Sequence, residues 1–495
     1  MIYKDTVQCT EKKRDVQKTV VSLFDYYPVL PRILKEIKEH NGICYLVGGA
    51  VRDMFLGIAI KDIDIEIHGI SLEALEKIID PITPVLAAGK SFGVLKALDH
   101  PIDFSIPRTD SSGRHPTVEL DPHMSIEKAL RRRDITFNAL AINLQDFSFI
   151  DPYGGLADLA AGIIRATDPE LFIEDPLRFF RVMQFVSRFG MTVDPVTEQL
   201  CASMDVSLVS QERIESEFDK LLLKSRRPSL GIRWLEKIDR LQDILPELSA
   251  TVLIDQEKDW HPEGSVFEHL MQSVDAAADI VNNSIIFNTQ ELVTKIIENN
   301  TFHKLLLLYS ALCHDLGKVT TTKFVDGRLR SWGHDEAGVL PTKTMLKRIT
   351  GRKKLIDSVA SLVKYHMRPG QLVSQKSSAQ AYKKLAAQLH EPINLAFLAL
   401  LFQADRLGRN GASSLPLKIQ EIEIEQFVTA AEKAGVLYAQ EEPLLTGKDF
   451  LDTISAGPEL GRLVKKAYEI QLTSGSYTKE VLKRNVLKQK KSLSS

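Results

Sequence analysis

LVGGAVRDMFLGIAIKDIDIEI, residues 46–67, is the stretch that decides the fold. Its last part, KDIDIEI, alternates strictly: Asp62, Asp64 and Glu66 fall on one face, Ile63, Ile65 and Ile67 on the other. That is the period of a half-buried β-strand. Residues i and i+2 of a strand point the same way, so both aspartates reach one site. Two carboxylates so close suit Mg²⁺, a hard ion that prefers oxygen ligands and arrives with substrate phosphates. Upstream, ICYLV reads as a buried strand, Gly48-Gly49 as a tight turn and AVRDMFLG as the start of a helix. A Gly-Gly turn lets backbone N–H groups approach a triphosphate, and the helix N-terminus adds partial positive charge. Arg52, in the first helical turn, is placed to pair with a phosphate. A lone DxD is more often a pair of solvated aspartates on a surface strand. Joined to VGGxVRD at this spacing, it reads as a phosphate turn beside a metal-binding strand.

The rest of the chain frames that site. At 495 residues it is too long for one core and predicts two to four domains. Net charge is −2 and the isoelectric point about 6.7, so any nucleic-acid grip must come from local basic clusters. Candidates are Lys224, Arg226 and Arg227; Lys347, Arg348, Arg352, Lys353 and Lys354; and the tail from Lys479 to Lys491. Each reads equally well as a solvated face. The four cysteines, Cys9, Cys44, Cys201 and Cys313, are scattered without CxxC spacing and suggest neither disulfides nor zinc. The longest apolar runs, LLLLYSALC and NLAFLALLF, are too short to span a bilayer. The N-terminus lacks a signal-peptide core, so no membrane association and a cytoplasmic location are expected. Strand-like segments (ICYLV, KDIDIEI, GVLKAL, PIDFSI, ALAIN, FSFID) stop near residue 165; beyond it the patterns are helical. LLTGKDFLDTISAGPELGRLVKKAYEIQL reads as two short helices, one ending at Ala456-Gly457-Pro458.

Five further blocks follow the opening motif: GKSFGVLKAL (89–98), RRRDITFNALAINL (131–144), DPYGGLADLAAGIIRAT (151–167), EDPLRFFRVMQFVSRFG (174–190) and ERIESEFDKLLL (212–223). In order and spacing they resemble the bacterial-type tRNA nucleotidyltransferase and poly(A) polymerase family, within the polymerase-β-like nucleotidyltransferase superfamily. HPEGSVFEHL, ALCHDLGK and QADRLGR resemble the HD phosphohydrolase domain that some members carry. The resemblance covers roughly residues 40 to 475.

It implies an α+β fold: a nucleotidyltransferase head with a small mixed sheet and helices (31–166), preceded by an N-terminal extension (1–30). An all-helical neck (167–245), an HD domain (246–412) and a helical tail with possible tRNA contact (413–495) follow. In the head it implies Mg²⁺ on Asp62 and Asp64, with Asp103 of PIDFSIPR the best match to the superfamily's third carboxylate. Gly48, Gly49, Arg52, Arg132, Arg133, Asp134, Asn138 and Arg181 form the implied nucleotide- and phosphate-binding set. Asp175 and Arg178 of EDPLR are the implied base readers. Cytosine and adenine both present an amino donor beside a ring-nitrogen acceptor, which a carboxylate and a guanidinium read together. Uracil and guanine oppose like poles to that pair, at roughly 1–3 kcal/mol for each unsatisfied group. In the HD half, His269, His314, Asp315 and Asp405 are the implied ligands of a divalent metal (Mg, Mn or Ni), with His334 and His366 directed at the same pocket.

The implied activity is template-free addition or repair of the tRNA 3′-terminal CCA from CTP and ATP. The HD domain is expected to hydrolyse 2′,3′-cyclic phosphodiesters, 2′-nucleotides or other phosphate esters. A poly(A) polymerase, or an enzyme adding only CC or only A, is the rival within the class. An RNA- or nucleotide-binding regulator in which only the HD site is active is the rival from outside it.

Overall fold

The computed structural model describes residues 16–87, 93–110, 118–282, 290–411, 419–474 and 478–491. Residues 89–92 of the GKSFG block and Cys9 lie outside them. The chain divides into two compact units, Met1–Glu217 and Phe218–Ser495.

The first unit is built on a sheet of β1 (Ile43–Val47), β2 (Ile63–His68), β3 (Val85–Leu86), β4 (Val94–Ala97), β5 (Ile102–Ser105), β8 (Ala141–Asn143) and β9 (Phe149–Ile150). A separate two-stranded pairing joins β6 (Arg108–Asp110) to β7 (Val118–Leu120). The large sheet runs β3-β4-β5-β2-β1-β8-β9. It is antiparallel except for β2 and β5, so it is mixed, as expected. Ile63, Ile65 and Ile67 are buried, each contributing about 2 kcal/mol relative to exposure. The opposite face is open only at Asp62 and Asp64; Glu66 and His68 are covered. His68 there hydrogen-bonds Met124 O through Nδ1 (2.8 Å) and Glu66 through Nε2 (3.0 Å).

Between β1 and β2 the chain turns at Gly48, whose φ of 71° suits a residue without a side chain. It enters α1 (Gly49–Leu56), which closes on Gly57 in the left-handed region. The later helix α2 (Leu177–Phe189) buries Phe179, Phe180, Val182, Met183, Phe185, Val186 and Phe189. That is the three- and four-residue spacing read in PLRFFRVMQFVSRFG.

In the second unit α3 (Val266–Val281), α4 (Thr301–Cys313), α5 (Lys353–Tyr365) and α6 (Leu395–Leu407) form a helical core, with α4 buried from Leu305 onward and α6 almost wholly buried. The tail beyond them has its own apolar centre of Leu445, Phe450, Leu463, Ala467, Leu482 and Val486.

Two expectations are corrected. Extended structure does not stop near 165: β10 (Ile163–Ile164) pairs with β11 (Thr192–Val193), and a hairpin joins β12 (Lys323–Val325) to β13 (Arg328–Arg330). The hairpin closes on Asp326-Gly327, both at positive φ, the two-residue turn that matches strand twist. In the tail, the segment before Ala456 is a single 3₁₀ turn, Gly447–Phe450, and Pro458–Ser474 is a 17-residue helix.

Candidate active site and metal centre

In the first unit, Asp64 and Asp103 are direct partners across the parallel ladder of β2 and β5. Their backbones are therefore about 4.8 Å apart and their side chains share a face. Asp62 immediately precedes β2. Lys96, the partner of Asp103 on β4, meets it at 3.4 Å. Asp64 reaches solvent, yet enough protein surrounds it that desolvation, chiefly, raises its pKa; Asp103 and Asp62 add to the rise, and Arg133 and Lys96 oppose it. Mutual repulsion among three carboxylates is what a divalent cation relieves, so the residues present fit a hard metal ion.

Arg133 lies between these carboxylates and the glycine turn. Its Nη2 is 3.8 Å from Glu66, and a Cβ at Gly48 would run into its Nη1. The Gly48 N–H is not available to a phosphate, because it donates to Leu140 O at 3.0 Å.

Arg52, read from the sequence as a partner for a phosphate, lies inside the protein. The residue is buried, with Nη1 on Asn138 Oδ1 (2.5 Å), Nε and Nη2 on Asp53 (2.8 and 2.7 Å), and its plane 5.0 Å from the Phe189 ring. Asn138 in turn donates to Asp134 (3.0 Å), and Arg181 Nε donates to the other Asp134 oxygen (2.6 Å). Burial alone would raise the Asp134 pKa, but Arg181 and the Asn138 amide outweigh it and hold the carboxylate below its usual range. Arg181 also approaches Glu217 at 3.9 Å. Arg52, Asn138, Asp134 and Arg181 thus form one buried chain joining α1, the RRRD block and α2.

Asp175 and Arg178 do not pair with each other. Arg178 donates to Leu171 O (2.5 Å) and to Arg132 O (2.6 Å), while Asp175 takes Arg213 at 3.0 Å. The Arg213–Asp175 pair is half-exposed, with side chains 49% and 37% accessible, so separating it costs at most about 1 kcal/mol. Arg178 has five N–H donors and commits two of them.

In the second unit the six metal-ligand candidates come together. His314 and His366 cap the C-termini of α4 and α5, where last-turn carbonyls lack helical partners. Their Nδ1 atoms bind Ala311 O (2.9 Å) and Val363 O (2.6 Å), and His334 Nδ1 binds Ser331 O (2.6 Å). His269 Nδ1 meets Glu263 (2.8 Å) and Gly408 O (3.2 Å). A carbonyl only accepts, so each Nδ1 carries the proton and each Nε2 of a neutral ring presents a lone pair. Those lone pairs converge: His269 and His314 Nε2 are 3.0 Å apart, His334 and His366 Nε2 3.2 Å. Asp405 Oδ1 lies 3.1 Å from His269 Nε2. Asp315 serves both groups, Oδ2 at 3.5 Å from His269 and His314, and Oδ1 at 3.1 and 3.6 Å from His334 and His366. Burial pushes His314 down to about 3 against the pull of Asp315 and Asp405, so its ring is neutral at pH 7. These ring nitrogens and carboxylate oxygens, crowded within hydrogen-bond distance of one another, are the donor atoms a cation would take up. The donor set fits one, with Asp315 shared by two adjoining ligand groups.

Sequence reading missed the residues that hold these ligands. Glu263 bridges His261 and His269, each at 2.8 Å. Arg409, four residues after Asp405, grips it at 2.8 and 3.0 Å. Lys318, three residues after Asp315, sits at 2.6 Å from it and bonds Gln256. All three stand inside the quoted motifs, at helical spacing or in the same turn. Arg213, in ERIESEF, was likewise legible only as a helix residue. Among the basic clusters, Arg226 and Arg227 pair with Asp279 and Asp275, Arg352 with Asp219 and Arg348 with Glu247.

Residues 44–165 match the family described as Poly A polymerase head domain, and residues 266–410 the HD domain family. Both families are metal-dependent. The multifunctional CCA protein of Pasteurella multocida is 32% identical over 381 residues, 74% of this chain and 84% of that protein. That of Methylobacillus flagellatus is 30% identical over 414 residues, covering 81% and 92%. Among solved structures, the Bacillus stearothermophilus CCA-adding enzyme in complex with CTP aligns with a TM-score of 0.59 at 20% identity, over 94% of this chain and 99% of that one. The Thermotoga maritima CCA-adding enzyme complexed with tRNA aligns at 0.55 and 21%, over 96% and 98%. No described helix is long and apolar enough to cross a membrane. With a nucleotidyltransferase sheet and an HD ligand cluster in one polypeptide, the chain belongs to the multifunctional CCA protein family.

Proposed function

We propose that the chain adds or repairs the 3′-terminal CCA of tRNA from CTP and ATP, without a nucleic-acid template, and that its HD site hydrolyses phosphate esters. The observation that carries the first half is the in-register placement of Asp64 and Asp103, with Asp62 alongside and Arg133 beside the Gly48 turn. Relatives called multifunctional CCA proteins, and a shared fold whose solved examples hold CTP, ATP or tRNA, support the same reading.

Asp62, Asp64 and Asp103 would hold Mg²⁺, which supplies activation of the tRNA 3′ hydroxyl and charge neutralisation on the departing pyrophosphate. Arg133 is the guanidinium best placed for the triphosphate, with Arg132 next to it. Arg52, Asp134, Asn138 and Arg181 act behind it, fixing α1 and α2 at the nucleotide. Asp175 and Arg178 read the base once Asp175 leaves Arg213, an inexpensive exchange because that pair is half in solvent. Incubation with tRNA lacking its terminus tests this: CTP and then ATP should be incorporated and synthesis should stop after three residues. Long ATP-only tails would replace the proposal with poly(A) synthesis.

At the HD site His269, His314, Asp315 and Asp405 would hold one divalent ion, and His334 and His366 a second across Asp315. Four imidazoles among six donors favour Mn²⁺ or Ni²⁺ over Mg²⁺. Such an ion supplies Lewis-acid polarisation of a phosphate oxygen and a water of lowered pKa. Glu263, Arg409 and Lys318 hold the ligand side chains in place. His314→Ala should abolish metal-dependent hydrolysis of a phosphate ester; undiminished turnover would remove this half of the proposal.

A further inference from the structure

The second unit carries an aromatic and basic rim around the HD ligand cluster that the ligands themselves do not require. The chain has three tryptophans. Trp234 is buried, whereas Trp260 and Trp332 are 60% and 71% exposed. Large aromatic rings left in water are uncommon, and these two flank the cluster in sequence and in space. Trp332 sits between Ser331, whose carbonyl holds His334, and His334 itself. Trp260 precedes His261, whose ring packs edge-on against the ligand His269 at 4.9 Å and shares Glu263 with it.

The β12–β13 hairpin joins the two segments. Its Leu329 N–H donates to Glu257 (3.1 Å) and its Arg328 meets Asp259 (3.5 Å), both in the turn that carries Trp260. Register pairs Lys323 with Arg330 and Val325 with Arg328, so the three cations share one face of the hairpin. Phe324, 73% exposed, lies on the other. Exposed rings and cations interleaved on short segments are what single-stranded nucleic acid uses, stacking bases on rings and laying phosphates on Lys and Arg.

We propose that this rim is a binding subsite for single-stranded RNA ends. A nucleobase next to the reacting phosphate stacks on Trp332 or Trp260, and the preceding strand lies along Lys323 and Arg330. The inference rests on the phosphohydrolase reading of the ligand cluster and specifies its substrate as an RNA end in preference to a small phosphate ester.

The test compares the full chain with W260A/W332A, W260F/W332F and K323A/R330A, each loaded with Mn²⁺. Substrates are p-nitrophenyl phosphate, adenosine 2′,3′-cyclic phosphate and a single-stranded RNA hexamer ending in a 2′,3′-cyclic phosphate. W260A/W332A should lower kcat/KM about 5- to 150-fold for the two base-bearing substrates, and leave p-nitrophenyl phosphate unchanged. Phenylalanine should restore most of that loss, and K323A/R330A should affect the hexamer alone and flatten its salt dependence. Direct binding gives a readout independent of turnover. Trp234 is buried, so the emission that a bound strand can quench is that of Trp260 and Trp332, and W260F/W332F should abolish the quenching. A non-cleavable hexamer should quench the emission of the wild-type chain, and competition by free AMP separates a mononucleotide site from an RNA site. Equal losses on all three substrates, or no quenching, would overturn the subsite. Quenching with no hydrolysis of any substrate would overturn only the phosphohydrolase reading.

Discussion

Glu263→Gln isolates what a buried carboxylate does for a metal ligand. Glu263 Oε1 accepts from Nδ1 of both His269 and His261 at 2.8 Å, and its side chain is wholly buried. Burial opposes its charge, but the bonds to His261 and His269 outweigh that and bring its pKa down to about 2. Glutamine keeps the volume and one acceptor but removes the charge that makes His269 Nε2 more basic. His269 does not lose its tautomer, because Gly408 O remains within 3.2 Å of Nδ1. Partners of this kind are worth roughly 10- to 100-fold in metal affinity. With the carbonyl as reserve, the expected loss is near the lower bound, about 10-fold or 1.4 kcal/mol. Calorimetric titration of Mn²⁺ into the full chain measures it, with transfer from CTP by the same preparation as a check of folding. Affinity within twofold of wild type would refute the claim that Glu263 tunes the ligand.

Asp64→Asn should lower CTP and ATP incorporation by about 10³-fold or more, since it removes several kcal/mol of metal-borne charge stabilisation; radiolabelled tRNA extension reads it. Gly48→Ala places a Cβ at a φ of 71° and against Arg133. It should cost about 1–2 kcal/mol of stability by chemical denaturation and raise the KM for CTP. Asp275 is held by the Ser229 N–H and hydroxyl, yet burial pushes its pKa up to about 6. A folded-state pKa above the unfolded 3.8 means the folded chain binds the proton more tightly. The contribution is therefore fully present below about pH 4 and lost as pH rises through 6, about 3 kcal/mol in all. Asp275→Asn should remove that slope from the pH dependence of denaturation between pH 4 and 6; an unchanged slope would assign it elsewhere.

What could be read in advance was what depends on local period and spacing. KDIDIEI alternates, so its strand and the common face of Asp62 and Asp64 were legible. The helix 177–189 was equally legible from its apolar stripe. The in-register meeting of Asp64 with Asp103 was not, because β2 and β5 are 39 residues apart by their aspartates and pair in parallel, a choice no local pattern states. The burial of Arg52 was hidden for a related reason. A first-turn arginine beside a glycine turn looks exposed until Asn138, 86 residues away, arrives to bury it. The hairpin at 323–330 was missed although Asp326-Gly327 signals its turn, since three-residue strands leave no alternation to detect. In the HD half, motif residues were found and their holders were not, because Glu263, Lys318 and Arg409 look like ordinary surface charges until their partners are known.

The buried relay from Arg52 to Arg181 constrains how this polypeptide can be dissected. A fragment that stops at residue 166 keeps Asp134 and Asn138 but discards the guanidinium that neutralises Asp134. Stranding one partner of a buried ion pair costs roughly 3–5 kcal/mol, a large share of a domain's stability. Expression boundaries drawn at the end of the sheet should therefore yield insoluble or loosely folded protein, and those drawn beyond Glu217 a tractable one.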